Sequence, residues 1–132
     1  MGQKSFLSFI QDQWAHIPPA KHVKLESRTV IVTGANTGLG LQVAKHFAAM
    51  QPAKLIMAVR SMDKGQKARK DILAEHPSAN IEVWQLDMAS FASVKSFAER
   101  CKSDLDRLDF VVLNAGVSND KWSTTSDGYE QT

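Results

Sequence analysis

Residues 29–40 read TVIVTGANTGLG, and this stretch decides the fold. The β-branched run 29–33 predicts a buried strand that stops at Gly34. Apolar residues at helical spacing follow from Leu39 to Met50 and predict a helix. The stretch is therefore a strand, a glycine turn and a helix.

The alternation of strand and helix continues towards the C-terminus. Apolar runs predict strands at 54–59, 81–86 and 110–113, and helical spacing predicts helices at 63–75 and around 94–105. Short apolar strands that alternate with helices of a dozen residues are typical of parallel strands joined by crossovers. The predicted fold class is therefore α/β, with a doubly wound parallel sheet.

Residues 1–28 form a separate N-terminal segment. An amphipathic helix over residues 5–17, ending before Pro18-Pro19, is predicted from apolar residues at three- and four-residue steps, namely Phe6, Phe9 or Ile10, Trp14 and Ile17. A charged connector, 21–28, follows. Because the polar positions 11–13 carry no lysine or arginine, a lead-in segment is favoured over a membrane-surface or docking helix.

The composition excludes several classes of protein. The chain has 132 residues, of which 43% are hydrophobic and 23% charged, and its net charge is +2, so neither disorder nor nucleic-acid binding is indicated. A single cysteine, Cys101, rules out an internal disulfide, which favours the cytoplasm. No run approaches the ~20 apolar residues of a membrane span, and the histidines lack metal-ligand spacing.

The glycines of the turn are spaced for a phosphate site. Gly34 allows a sharp turn out of the strand, Gly38 lets a phosphate approach the backbone, and Gly40 lets the helix lie near the sheet. Free N–H groups and the positive end of the helix dipole then suit a pyrophosphate. The alternative is a turn without a ligand, which leaves the stability cost of three glycines unexplained.

The residue that ends the second strand selects between dinucleotides. A carboxylate about 20 positions beyond the glycines suits a ribose 2′-OH, whereas a cation suits a 2′-phosphate. Arg60 stands at that position. Because a guanidinium binds phosphate through paired charge-assisted hydrogen bonds, NADP is favoured over NAD as the cofactor. The alternative is a solvated surface arginine.

Three motifs in this order resemble those of the short-chain dehydrogenase/reductase family. They are Thr-Gly-x-x-x-Gly-x-Gly at 33–40, an aspartate after the third strand at Asp87, and Asn-Ala-Gly at 114–116. The residues at 58–61, 64–65 and 127–130 are most similar to the retinol-dehydrogenase-like branch, including its fungal members. The resemblance implies a Rossmann-like fold, with residues 29–132 as the N-terminal half of an NAD(P)-binding domain.

The resemblance also implies a role for each matching residue. Around the pyrophosphate would lie Gly34, Asn36, Thr37, Gly38 and Leu39, with Gly40 behind them; Arg60 would meet the adenosine 2′-phosphate; Asp87 and the Met88 backbone would face the adenine; and Asn114, Ala115 and Gly116 would line the floor beside adenine and ribose. From the residues alone, Asp87 could equally cap the following helix.

Family enzymes transfer hydride between NADP(H) and a carbonyl or alcohol, and a tyrosine exchanges the proton with the help of a lysine four residues later. The only tyrosine, Tyr129, lies 13 residues after Gly116, and its fourth successor would be residue 133. We therefore expect the catalytic residues beyond residue 132 and a chain that is catalytically incomplete by itself. The alternatives are a non-catalytic nucleotide-binding or interaction module and, ranked last, a methyltransferase-like sheet.

Right-handed crossovers predict the sheet order 3-2-1-4, with the first two crossover helices on one face and the third alone on the other. The fourth strand would be an apolar edge open to self-association. Residues 117–132 are polar, and a loop with the start of a helix is predicted there.

Overall fold

Strands and helices alternate along the chain, as the apolar runs predict. The computed structural model describes residues 5–14 and 23–132. Its elements are α1 (Phe6–Gln13), β1 (Thr29–Thr33), α2 (Gly38–Ala49), β2 (Lys54–Val59), α3 (Met62–Glu75), β3 (Ile81–Gln85), α4 (Phe91–Asp104) and β4 (Phe110–Val112). From β1 onwards, the predicted strand and helix limits in 29–86 and 110–113 agree with these within one residue.

Helix α1 is shorter than the sequence predicts. The Ser5 hydroxyl caps its start by accepting a hydrogen bond from the Ser8 amide at 3.2 Å. The helix ends at Gln13 because the Trp14 backbone leaves the helical conformation and its N–H donates to the Gln11 carbonyl at 3.1 Å. The described helix thus stops before Trp14, and the predicted residues 15–17 and the predicted Pro18-Pro19 stop lie outside the described residues.

The four strands form one parallel sheet in the order β3-β2-β1-β4, which confirms the predicted topology. Helices α2 and α3 cover one face, whose core includes Val30, Leu55 and Ile72. On the other face, α4 is the helix of the described residues that packs against Ile56 and Trp84. In the part of the chain that the structure describes, no helix is long and apolar enough to cross a membrane.

Strand β4 lies at the edge of the sheet with its apolar side chains exposed. Phe110 and Val111 are 44% and 46% exposed, and Leu113, beyond the end of the strand, is 80% exposed. Phe110 retains one aromatic neighbour, Phe47 of α2, at 6.4 Å between ring centroids. The predicted apolar edge is therefore present.

The residues after β4 form a loop, as predicted, and a turn where the sequence predicts the start of a helix, so only the loop is confirmed. Thr124 and Glu130 pair as an antiparallel bridge, and the Thr125 amide donates to the Tyr129 carbonyl at 2.8 Å. Gly128 takes a left-handed conformation at φ +83°, which reverses the chain where a helix would continue. We call residues 123–132, which are the two paired arms and the residue after them, the C-terminal hairpin.

A carboxylate ties β1 to β4 at the end of the sheet opposite the glycine turn. Asp109 accepts hydrogen bonds from Arg107 Nε at 2.9 Å, from Arg28 Nη1 at 2.7 Å and from the Thr29 amide at 2.9 Å. Its side chain is 8% exposed. The Arg107 and Arg28 guanidinium groups hold the pKa of the Asp109 carboxyl far below its ordinary value.

We expect Asp109→Asn to reduce the dependence of stability on acid pH. Because the pKa of Asp109 is lowered in the folded chain, its contribution is complete at neutral pH and is lost as the pH falls below about 4. The variant should have a lower Tm at pH 7 and a smaller further loss between pH 5 and pH 3. Thermal unfolding across this range measures both effects. Asp106→Asn is the control, because Asp106 is exposed and makes no hydrogen bond with the described residues; an equal effect there would contradict the assignment.

Candidate functional site

The turn between β1 and α2 leaves the start of α2 open. Gly34 and Gly38 both take left-handed conformations, at φ +67° and +57°, which favour glycine. Thr37 is the N-cap residue, but its side chain makes no capping hydrogen bond. The first amides of α2 are therefore not satisfied by a side-chain cap, which is the arrangement that binds anions at helix N-termini.

Gly40 is required by close approach of the backbone. A Cβ at this position would overlap the Gly34 carbonyl oxygen and lie 2.5 Å from Asn114 Nδ2. The sequence predicts that Gly40 lets the helix lie near the sheet. The structure shows that the close neighbours are the turn itself and the loop after β4, so Gly40 fixes the helix start against both.

Thr33 fixes the Asn-Ala-Gly segment to the end of β1. Its buried hydroxyl accepts hydrogen bonds from the Asn114 and Ala115 amides, both at 2.9 Å. Asn114 Nδ2 donates in return to the Thr33 carbonyl at 3.0 Å. This role of Thr33 is not predicted from the sequence, because the partners lie about 80 residues apart.

The turn between β3 and α4 is held by short polar side chains. Asp87 Oδ1 accepts from the Ala89 amide at 2.9 Å, and the Asp87 amide donates to Ser93 Oγ at 2.9 Å. Ser90, not Asp87, is the N-cap of α4 and accepts from the Ser93 amide at 3.3 Å. The interpretation of Asp87 as the helix cap is therefore wrong, and its carboxylate lies in the turn.

These turns meet in a cleft of about 630 Å³ at the carboxyl ends of the strands. Nine of the residues that sequence reasoning selects line it, namely Gly34, Asn36, Thr37, Arg60, Asp87, Met88, Asn114, Ala115 and Gly116. Gly38, Leu39 and Gly40 lie in the first turn of α2 and are not part of the lining. The Leu39 side chain is 80% exposed, whereas Gly40 is buried.

The cleft contains a second cation that sequence reasoning missed. Lys64, in the first turn of α3, lines the cleft together with Arg60 at the end of β2. Neither side chain makes a hydrogen bond or ion pair with the residues that the structure describes. The sequence places this lysine four positions after Arg60, at the start of the predicted helix, but a lysine at that place does not by itself indicate a site. Two cations that have no partner in residues 5–14 and 23–132 therefore line the same cleft.

Tyr129 does not line this cleft. Its ring packs edge-on against Phe91, at 5.1 Å between centroids, and its side chain is 62% exposed. The hairpin that carries Tyr129 does reach the cleft, through Thr125, Glu130, Gln131 and Thr132. Among the residues described, no cluster of three or more histidines, cysteines and acids is placed to hold a metal ion.

The chain is similar in sequence to proteins of one family. A family model described as short chain dehydrogenase matches residues 28–131. Short chain dehydrogenase sol3 of Alternaria solani is 45% identical over 114 residues, which cover 86% of this chain and 40% of the relative. The chain thus spans between 32% and 40% of the length of these curated relatives.

Solved structures are similar to the same region. YwfH, an NADPH-dependent reductase involved in bacilysin biosynthesis, is 29% identical with a TM-score of 0.65, over 70% of this chain and 36% of that one. A short chain dehydrogenase from Shigella flexneri 2a, complexed with NADP, is 27% identical with a TM-score of 0.64, over 74% and 41% of the two chains. These similarities confirm the Rossmann-like, doubly wound fold.

Proposed function

Because this chain belongs to the short-chain dehydrogenase family, an oxidoreductase family, we propose that it is the NADP(H)-binding portion of an enzyme that transfers hydride between NADP(H) and a carbonyl or alcohol. The observation that carries this proposal is a pair of cations, Arg60 and Lys64, which have no partner in the described part of the chain and lie in the same cleft as the open start of α2. The relatives for which NADPH or NADP is named support the choice of cofactor.

The pyrophosphate is assigned to the β1–α2 turn. Asn36 and Thr37 line the cleft there, and the N-terminus of α2 supplies amides and the positive end of its dipole. At Gly38, an added Cβ would meet no atom within 4 Å, so the position opens onto free space. A phosphate can therefore approach the backbone with no protein side chain in between.

The adenosine end is assigned to the side of the cleft that carries the cations. Arg60 and Lys64 would bind the 2′-phosphate, Arg60 through its planar fork and Lys64 as a point charge. Asp87 and the Met88 backbone would face the adenine, with residues 114–116 as the floor. When bound, the cofactor supplies or accepts the hydride, and this part of the chain holds and orients it.

Proton exchange is assigned to residues outside this chain. The cleft is lined by no tyrosine of the described residues, since Tyr129 packs on Phe91 instead. A phenol that is not in the cleft cannot exchange a proton with a substrate held there. We therefore propose that this chain binds cofactor but does not turn over a substrate alone.

The proposal is tested by calorimetric titration of the chain with NADPH, which should bind, and by two variants of Gly38. We expect Gly38→Val to lower the affinity at least about tenfold, because it strains a left-handed residue and fills the path of the phosphate. Gly38→Asn separates the two effects, since asparagine tolerates this conformation but still adds a side chain. Gly38→Asn should keep a Tm close to that of the unchanged chain and still bind NADPH weakly. Full affinity in Gly38→Asn would contradict the assignment of the pyrophosphate.

A further inference from the structure

We propose that Asp127 is a positioning residue for the adenine end of the cofactor cleft, because it latches the C-terminal hairpin onto the start of α4. This inference rests on the proposed function and extends it to a segment to which the sequence assigned no role. Asp127 does not line the cleft itself and acts through the hairpin that carries it.

The latch consists of two contacts between the hairpin and one residue of α4. Asp127 Oδ2 accepts a hydrogen bond from the Phe91 amide at 2.8 Å, and the Tyr129 ring packs edge-on against the Phe91 ring at 5.1 Å. Phe91 is the first residue of α4, whose amide has no partner within the helix. A carboxylate at this position satisfies the amide and complements the positive end of the helix dipole.

The hairpin is stiffened internally, so the latch fixes the whole of it. The Thr124–Glu130 bridge closes the two arms, and the Gln131 amide donates to the Ser123 carbonyl at 3.0 Å. Ser123 Oγ also lies 3.0 Å from Gln131 Oε1. A contact at the tip of the hairpin is therefore transmitted to both arms.

The latched hairpin forms one wall of the cleft. Phe91 lies two residues after Ala89, at the end of the turn that carries Asp87 and Met88. From the hairpin, Thr125, Glu130, Gln131 and Thr132 line the cleft together with that turn. The hairpin wall is therefore next to the residues that we assign to adenine. Without the contact between Asp127 and Phe91, the hairpin side chains would have to be ordered by the ligand when it binds.

The test uses the full 132-residue chain with 2′,5′-ADP, which carries the adenosine end of the cofactor, and with NADPH. Because the ordering of freed side chains opposes binding, we expect Asp127→Ala to raise both Kd values by about three- to tenfold. Asp127→Asn keeps an oxygen that can accept from the Phe91 amide and should bind within about twofold of the unchanged chain. Asp120→Ala is the matched control, because Asp120 is an exposed acid of the same segment with no hydrogen bond to the described residues.

Amide hydrogen exchange at Phe91 reports the latch without any nucleotide. Exchange should accelerate in Asp127→Ala and stay slow in Asp127→Asn and Asp120→Ala. Unchanged affinity for 2′,5′-ADP in Asp127→Ala, with accelerated exchange, would overturn the positioning role alone. An equal loss of affinity in Asp127→Asn would also overturn the positioning role, because the charge of Asp127, and not its hydrogen bond to the Phe91 amide, would then determine the affinity. If the unchanged chain binds neither nucleotide, the proposed function itself fails.

Discussion

Arg60→Asp is expected to lower the affinity for NADPH by about 10- to 100-fold, which corresponds to the loss of charge-assisted hydrogen bonds. The substitution replaces a cation in the cleft by a carboxylate, which repels the 2′-phosphate. NADH lacks this phosphate, so its affinity should change by no more than about threefold. Parallel calorimetric titrations with NADPH and NADH measure the change in preference.

Two charge reversals on α3 accompany this result, one as a second test and the other as its control. Lys64→Asp should also lower the affinity for NADPH more than the affinity for NADH, because Lys64 lines the same cleft. Lys67→Asp should change neither affinity, since Lys67 is exposed on the same helix but outside the cleft. Equal losses for both nucleotides in Arg60→Asp would contradict recognition of the 2′-phosphate. Equal effects in all three variants would indicate a general effect of charge.

The strands near the centre of the sheet could be predicted because their sequence pattern has a single physical interpretation. Residues 29–33 and 54–59 are β-branched or apolar at nearly every position, and all of them except Lys54 are buried in the structure. Because the crossovers are right-handed, the strand order then determines which helices lie on each face of the sheet. Helix α1 was less predictable, because apolar spacing does not show where a short helix loses its backbone hydrogen bonds.

The candidate site was predictable where backbone conformation demands a particular residue. The sequence selects Gly34 and Gly38 as glycines that the turn needs, and both have left-handed conformations in the structure. Lys64 was missed because a lysine at a helix start is ordinary on a surface, and only the structure shows that it shares a cleft with Arg60. The contact from Asp127 to Phe91 joins residues 36 positions apart and has no local sequence signal.

Thr33→Val is expected to lower the free energy of unfolding by about 1 to 2 kcal/mol, because the part-buried Asn114 and Ala115 amides lose their common acceptor. Valine has nearly the same shape, so the change removes the hydroxyl to which the Asn114 and Ala115 amides donate and leaves the packing in place. Urea unfolding measures the loss. Nucleotide affinity should fall as well, since Asn114 and Ala115 line the cleft.

Two substitutions distinguish the hydroxyl of Thr33 from other properties of a buried threonine. Thr33→Ser keeps the acceptor and should cost no more than about 1 kcal/mol for the lost methyl group. Thr29→Val changes a buried threonine at the other end of the same strand, whose hydroxyl has no partner among the described residues, and should be nearly neutral. Thr29 and Thr33 are both buried on β1. A large loss of stability in Thr29→Val would therefore show that any such change in β1 destabilises the chain. A large loss in Thr33→Val alone would show that one hydroxyl holds the Asn-Ala-Gly segment in the position that shapes the cleft.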